Sequence, residues 1–151
     1  MDETLVKKLS SKSTGWIKQG RESGYKRYKG SDVPKWKRLS LKDFTLPDYK
    51  GYSRLSITPG NADVKDIMDT GMQDDVKDII DSGLAFGVDD KFVSMVDSFF
   101  NTGVVIRPKK DKEGKSPVII RYPSDGDLIL DQNVIIAEPF TTARIVIDYD
   151  T

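Results

Sequence analysis

The chain has 151 residues, with 24 basic and 24 acidic side chains, 37% hydrophobic residues, no histidine and no cysteine. Without cysteine there is no disulfide framework, thiol nucleophile or thiolate metal site, and without histidine there is no imidazole base or histidine-bound metal. No segment has the pattern of a signal peptide, and none reaches the roughly 18 consecutive apolar residues that indicate a membrane span. We therefore expect a protein of the cytoplasm or of a virion, neither exported through a signal peptide nor transmembrane, with no cofactor.

The net charge of zero conceals two halves of opposite sign. Residues 7–54 carry fourteen basic and four acidic side chains, a net charge of +10. Residues 55–151 carry ten basic and eighteen acidic side chains, a net charge of −8. Such asymmetry indicates a nucleic-acid or membrane partner for the basic half, or contact between the two halves.

Residues 1–58 combine positive charge with aromatic rings and frequent breaks. Both tryptophans and four of the six tyrosines lie in the first 54 residues, but only eight Val, Ile or Leu accompany them, and glycine or proline recurs every few residues. This composition buries too little apolar area to offset an ordering entropy of about 1–2 kcal/mol per residue. The sequence therefore predicts an extended basic arm that becomes ordered only on a partner. Short helical turns near residues 5–9 and 15–20 are compatible with this arm.

Cations and rings interleave within this arm over residues 16–21, 25–30 and 34–38. Lys and Arg displace counterions from phosphates, and aromatic rings stack on unpaired bases. Tyr, Trp and Arg also anchor protein interfaces, so a protein surface and single-stranded nucleic acid both fit the arm. The predicted contact residues are Trp16, Lys18, Arg21, Tyr25, Lys26, Arg27, Tyr28, Lys29, Lys35, Trp36, Lys37 and Arg38.

The rest of the chain, residues 59–151, has the periodicity of a folded acidic domain. Apolar residues at helical spacing, each block followed by a glycine, predict helices over about 63–71 and 75–83, and an aromatic stripe predicts a third over 89–101. Short β-rich runs separated by turn residues predict strands within 104–148. We expect an α+β fold in which two or three short helices pack on an antiparallel sheet of four or five strands.

Candidate catalytic and metal-binding patterns in this domain are weak. Nine aspartates lie between residues 63 and 90. They would suit a Ca²⁺ or Mg²⁺ site, but no window matches an EF-hand loop, and aspartate is also typical of helix N-termini and solvated helix faces. The Gly-Lys-Ser at 114–116 lacks the first glycine of a phosphate-binding loop, and the Glu-x-Lys at 113–115 lies in a lysine-rich turn. We favour solvated helix faces and predict no enzyme.

These features predict a non-enzymatic structural or assembly protein. A component of a viral or phage particle is the specific expectation, with the arm crossing neighbouring subunits (its own copies or other proteins) or packaged nucleic acid. Two alternatives stay open. One is a protein that binds single-stranded nucleic acid with the arm, and the other is a small inhibitor that engages a host enzyme through its acidic helices. No membrane partner is expected.

Overall fold

The chain has a mixed α+β fold. In the computed structural model, the described residues are 1–35, 40–41, 43, 45–46, 48–51, 54–70, 74–81, 89–110, 116–124 and 127–150. They form four α-helices, one 3-10 helix and six β-strands, and the strands are divided between two sheets of three. This confirms the α+β class, and no helix in the described part of the chain has the length and apolar character needed to cross a membrane.

Two compact units make up the chain. The first comprises residues 1–48 and 71–100, and the second comprises residues 49–70 and 101–151. This division differs from the expected arm of residues 1–58 and domain of residues 59–151, because the N-terminal helices belong to the same unit as residues 71–100.

The first unit contains all four α-helices of the described residues. They are α1 (Glu3–Ser11), α2 (Gly15–Gly30), α3 (Asp74–Asp81) and α4 (Asp90–Phe99). Helix α2 packs against both α1 and α4. Helices α3 and α4 lie where helices were expected over 75–83 and 89–101, with residues 82–83 outside the described part.

The prediction of an extended arm is wrong for residues 3–30, which form α1 and α2. Trp16 and Ile17 are 5% and 1% exposed, so these apolar side chains are buried rather than held out for a partner. Glycines are typical of breaks in a helix, but Gly24 lies at the contact with α4, where a Cβ would come within 2.9 Å of the Cβ of Asp97. Tertiary packing therefore stabilises a helix whose intrinsic propensity is poor. The described residues between 31 and 55 form no helix or strand.

The second unit contains both sheets. In the first sheet, the order is β1 (Ser56–Thr58), β4 (Val118–Pro123), β6 (Ile145–Asp150), with β1 antiparallel and β6 parallel to β4. The predicted antiparallel sheet of four or five strands is thus replaced by mixed sheets. A parallel pair requires a long crossover connection, which the spacing of β-rich runs does not show.

The other sheet has the order β2 (Ala62–Asp66), β3 (Val104–Pro108), β5 (Val134–Ile135), with β2 antiparallel and β5 parallel to β3. The helix expected over 63–71 is therefore wrong, because residues 62–66 pair with β3 and only Ile67–Thr70 forms a short 3-10 helix. Pairing with a distant strand overrides the local helical spacing. A buried core links the strands of this unit, and it consists of Ala62, Val104, Ile106, Val118, Ile120 and Tyr122.

Candidate functional site

A groove of about 500 Å³ runs along one face of the α1–α2 pair. From α1 it is lined by Glu3, Val6, Lys7, Ser10 and Ser11. From α2 it is lined by Lys18, Glu22, Tyr25, Lys26 and Lys29. Both sets recur every three or four residues, which is the spacing of one helix face. The groove is therefore built from two adjacent helix faces of a single compact unit.

Basic side chains predominate around the groove, with four lysines against two glutamates. Lys7 forms a 2.7 Å ion pair with Glu3, one turn away on α1. The hydrogen bond and charge of Lys7 lower the pKa of Glu3, and Glu3 in turn raises the pKa of Lys7. The charge of Lys29, which lines the same groove, also lowers the pKa of Glu3.

Three ammonium groups of the groove remain available to a ligand. Lys18, Lys26 and Lys29 are exposed, and none of them forms an ion pair with any other described residue. Exposed lysines interact with an anionic group mainly through its charge, since the ammonium is a compact and strongly hydrated point charge. The groove is therefore suited to an acidic ligand.

The deeper part of the groove is apolar, with one unsatisfied hydroxyl. Val6 is 4% exposed, and the Tyr25 ring is half-buried. Ser10 is 3% exposed, and its Oγ has no hydrogen-bond partner among the described residues. A buried polar group left without a partner costs about 1–3 kcal/mol.

Two of the predicted contact residues, Trp16 and Arg21, are buried within the first unit. The Arg21 guanidinium donates 3.0 Å hydrogen bonds to the carbonyl oxygens of Ser98 and Phe100, at the C-terminal end of α4. It also lies 4.2 Å from the centroid of the Phe100 ring. A cation at a helix C-terminus satisfies free carbonyls and interacts favourably with the helix dipole. Arg21 thus holds α2 against α4.

Arg27 and Tyr28 also contact α4 rather than the groove. Arg27 forms a 2.5 Å ion pair with Asp97. The Tyr28 ring packs edge-on against Phe99 at 5.7 Å between centroids, and the ammonium of Lys91 lies 4.0 Å from the centroid of the same tyrosine ring. The Tyr28 ring therefore packs on α4, and Arg27 places its charge beside Asp97 of the same helix.

The groove brings together four of the twelve predicted contact residues: Lys18, Tyr25, Lys26 and Lys29. Lys35 is exposed beyond the end of α2, and Trp36, Lys37 and Arg38 lie outside the described residues. Sequence reasoning missed the contribution of α1, including Val6 and Ser10. The sequence signal that could have identified α1 as part of the groove is the helical spacing of its lining residues.

No cluster of three or more acidic side chains that could hold a metal ion occurs among the residues the structure describes. Comparison of the chain with protein-family models, curated proteins and solved structures finds no match. What the protein does is therefore inferred from the groove itself.

Proposed function

We propose that the protein is a non-enzymatic structural or assembly protein that binds an acidic, amphipathic segment of a neighbouring protein subunit in the α1–α2 groove. The observation that carries the proposal is that three lysines, which form no ion pair with any other described residue, surround an apolar floor. An amphipathic helix fits such a groove by placing its apolar face inward and its acidic flanks against the lysines. A virion remains our predicted setting for this assembly, and inhibition of a host enzyme stays a prediction.

Protein is favoured over single-stranded nucleic acid because the aromatic rings of α2 pack within the first unit. Base stacking requires accessible ring faces. Trp16 is 5% exposed, and the rings of Tyr25 and Tyr28 pack edge-on against Phe99 at 6.0 and 5.7 Å between centroids.

Fluorescence anisotropy of a labelled peptide tests the proposal on the full chain. The probe is a designed helical peptide with leucine at i, i+3, i+4 and i+7 and glutamate at the flanking positions. We expect saturable binding that weakens with added salt, because exposed charges are screened. Lys18→Gln/Lys26→Gln should weaken binding about fivefold, through the loss of two exposed charge contacts.

The matched control is Lys8→Gln/Lys12→Gln, which removes the same charge from exposed positions of the same helical pair outside the groove lining. It should bind the peptide as the unmodified protein does. Equal weakening by both double variants would show that only net charge attracts the peptide, and would contradict the proposal. Tighter binding of an oligothymidylate, with a loss in the groove variant, would instead favour the nucleic-acid alternative.

A further inference from the structure

We propose that two copies of this chain associate by antiparallel pairing of their β6 strands, which joins two β1-β4-β6 sheets edge to edge. The surface lies in the second unit, so this proposal does not depend on the α1–α2 groove. It depends on three observations: an edge strand, exposed apolar side chains and a self-complementary pattern of charge.

Strand β6 is an edge of its sheet, since β4 is its only neighbour among the described strands. The N–H of Val118 donates to the carbonyl of Arg144 at 2.9 Å, and the N–H of Ser124 donates to the carbonyl of Asp150 at 2.8 Å. Alternation along the strand then directs the backbone of every second residue from 144 to 150 towards β4. The residues between them direct their N–H and C=O groups to the open edge, and these are Ile145, Ile147 and Tyr149.

Large apolar side chains are exposed along this strand. Val146, Ile147 and Tyr149 are 43%, 38% and 46% exposed. Edge strands of soluble proteins are usually protected from pairing by charged side chains, above all lysine, or by proline or a bulge. The six residues of β6 include neither lysine nor proline, and their charged side chains are Asp148 and Asp150.

One antiparallel register pairs every open-edge residue of β6 with its counterpart in a second copy. With the two-fold axis at Ile147, this residue lies opposite Ile147 of the second copy, and Ile145 lies opposite Tyr149 of the second copy. Each of these pairs exchanges both of its N–H···O=C bonds, as hydrogen-bonded pairs of an antiparallel ladder do. Such an isologous contact closes at two copies.

Charge selects a second copy as the occupant of this edge. The same register places Arg144 opposite Asp150 of the second copy, and two-fold symmetry repeats the pair at the other end. Both side chains are exposed, and neither forms an ion pair with any residue of the described chain. Asp148, by contrast, already contacts Arg121 at 3.4 Å. Opposite charges facing each other across strands stabilise the pairing, and like charges oppose it.

Sedimentation equilibrium of the full chain, at increasing protein concentration, tests the proposal. We expect a mass of two 17.0 kDa chains. Arg144→Glu places like charges opposite each other at both ends and should raise the dissociation constant about thirtyfold. Asp150→Arg should have the same effect. A mixture of the two variants should associate again, because both ends of the mixed pair then join opposite charges.

Ile147→Pro supplies a second, independent variant. It removes the central N–H on the open side and spares the bonds to β4, which is where an edge strand tolerates proline. The dimer should be lost while the circular dichroism spectrum is retained. A monomer at every concentration, a dimer that survives these substitutions, or variants that fail to associate when mixed would overturn the proposal. Lys18→Gln/Lys26→Gln should leave the dimer intact, so failure here and failure of the groove are distinguishable.

Discussion

Asp97, at the contact between α2 and α4, illustrates how burial and an ion pair compete at one residue. Burial raises the pKa of this carboxyl, and the attraction of Arg27 only partly offsets it. The Asp97 side chain is 22% exposed and is therefore poorly hydrated, whereas the Arg27 side chain is 58% exposed. Solvent around Arg27 screens its attraction for the Asp97 carboxylate. The ionised form of Asp97 is therefore disfavoured in the folded protein.

The pH dependence of stability follows from this shift. The carboxyl of Asp97 holds its proton more tightly in the folded state than in the unfolded state. Its contribution to the free energy of unfolding is therefore fully present below the ordinary carboxyl pKa and is lost as the pH rises through the raised pKa. Asp97→Asn should therefore be more stable than the unmodified protein at neutral pH and equal to it at low pH. Urea unfolding of both proteins across the pH range measures this. A less stable Asn variant at neutral pH would mean that the ion pair with Arg27 dominates.

Phe140 shows backbone strain at a fully exposed position. Its φ is 65°, the residue is fully exposed, and it follows Pro139 in a turn closed by a hydrogen bond from the N–H of Thr141 to the carbonyl of Glu138. This left-handed position favours glycine. Both Phe140→Gly and Phe140→Ala remove a fully exposed ring, but only glycine relieves the backbone strain. The glycine variant should therefore be more stable than the alanine variant by about 1 kcal/mol. Thermal unfolding of the two variants decides this, and an alanine variant as stable as the glycine variant would contradict it.

At the scale of elements, the contact between α2 and α4 is set by a close approach at Gly24. A Cβ there would lie 3.0 Å from Ser98 Oγ and 2.9 Å from the Cβ of Asp97. Gly24→Ala should therefore lower the free energy of unfolding by about 1–3 kcal/mol, through overpacking. The matched control is Gly20→Ala on the same helix, where the added Cβ would have no atom within 4 Å beyond its chain neighbours and the backbone of its own helix.

This control should stabilise the protein by up to about 1 kcal/mol, because alanine is the better helix former. Urea denaturation of both variants measures the two effects. If both alanines stabilise the protein equally, α2 does not pack on α4 in the way described here.

Elements stabilised by local pattern could be predicted, and elements stabilised by distant partners could not. Helix α4 has an apolar stripe and a capping aspartate, Asp89, whose side chain accepts hydrogen bonds from the backbone of Lys91 and Phe92. Helix α2 lacks such signals in its sequence. It is stabilised by packing on α4, through the close approach at Gly24 and the tyrosine rings. Strand β2 has the apolar spacing of a helix, but it is stabilised as a strand by pairing with β3.

The candidate site divides in the same way. Residue type and charge predict contact surfaces at Lys18, Tyr25, Lys26 and Lys29. These four residues line the same groove. Their grouping with Ser10 depends on α1 packing beside α2, which composition does not show. Arg21 has the same residue type as a contact residue, but its guanidinium binds carbonyls at the end of α4.

At the scale of the whole molecule, the basic half of the chain is partly a folded surface. Residues 1–30 carry eight basic and three acidic side chains, a net charge of +5. Helices α1 and α2 fix the positions of these charges, and three lysines line the groove without ion pairs to other described residues. A fixed basic surface needs less ordering upon binding than an unfolded arm does, so more of the contact energy contributes to affinity.

Chemical-shift mapping of the isotope-labelled full chain, titrated with the leucine–glutamate peptide, is the most direct test of groove binding. The amides of Glu3–Ser11 and of residues 18–29 should shift as the peptide is added, with Ser10 among the most affected. The amides of β6 should remain unchanged. Shifts spread evenly over all exposed lysines, or confined to residues outside α1 and α2, would contradict a docking groove between these two helices.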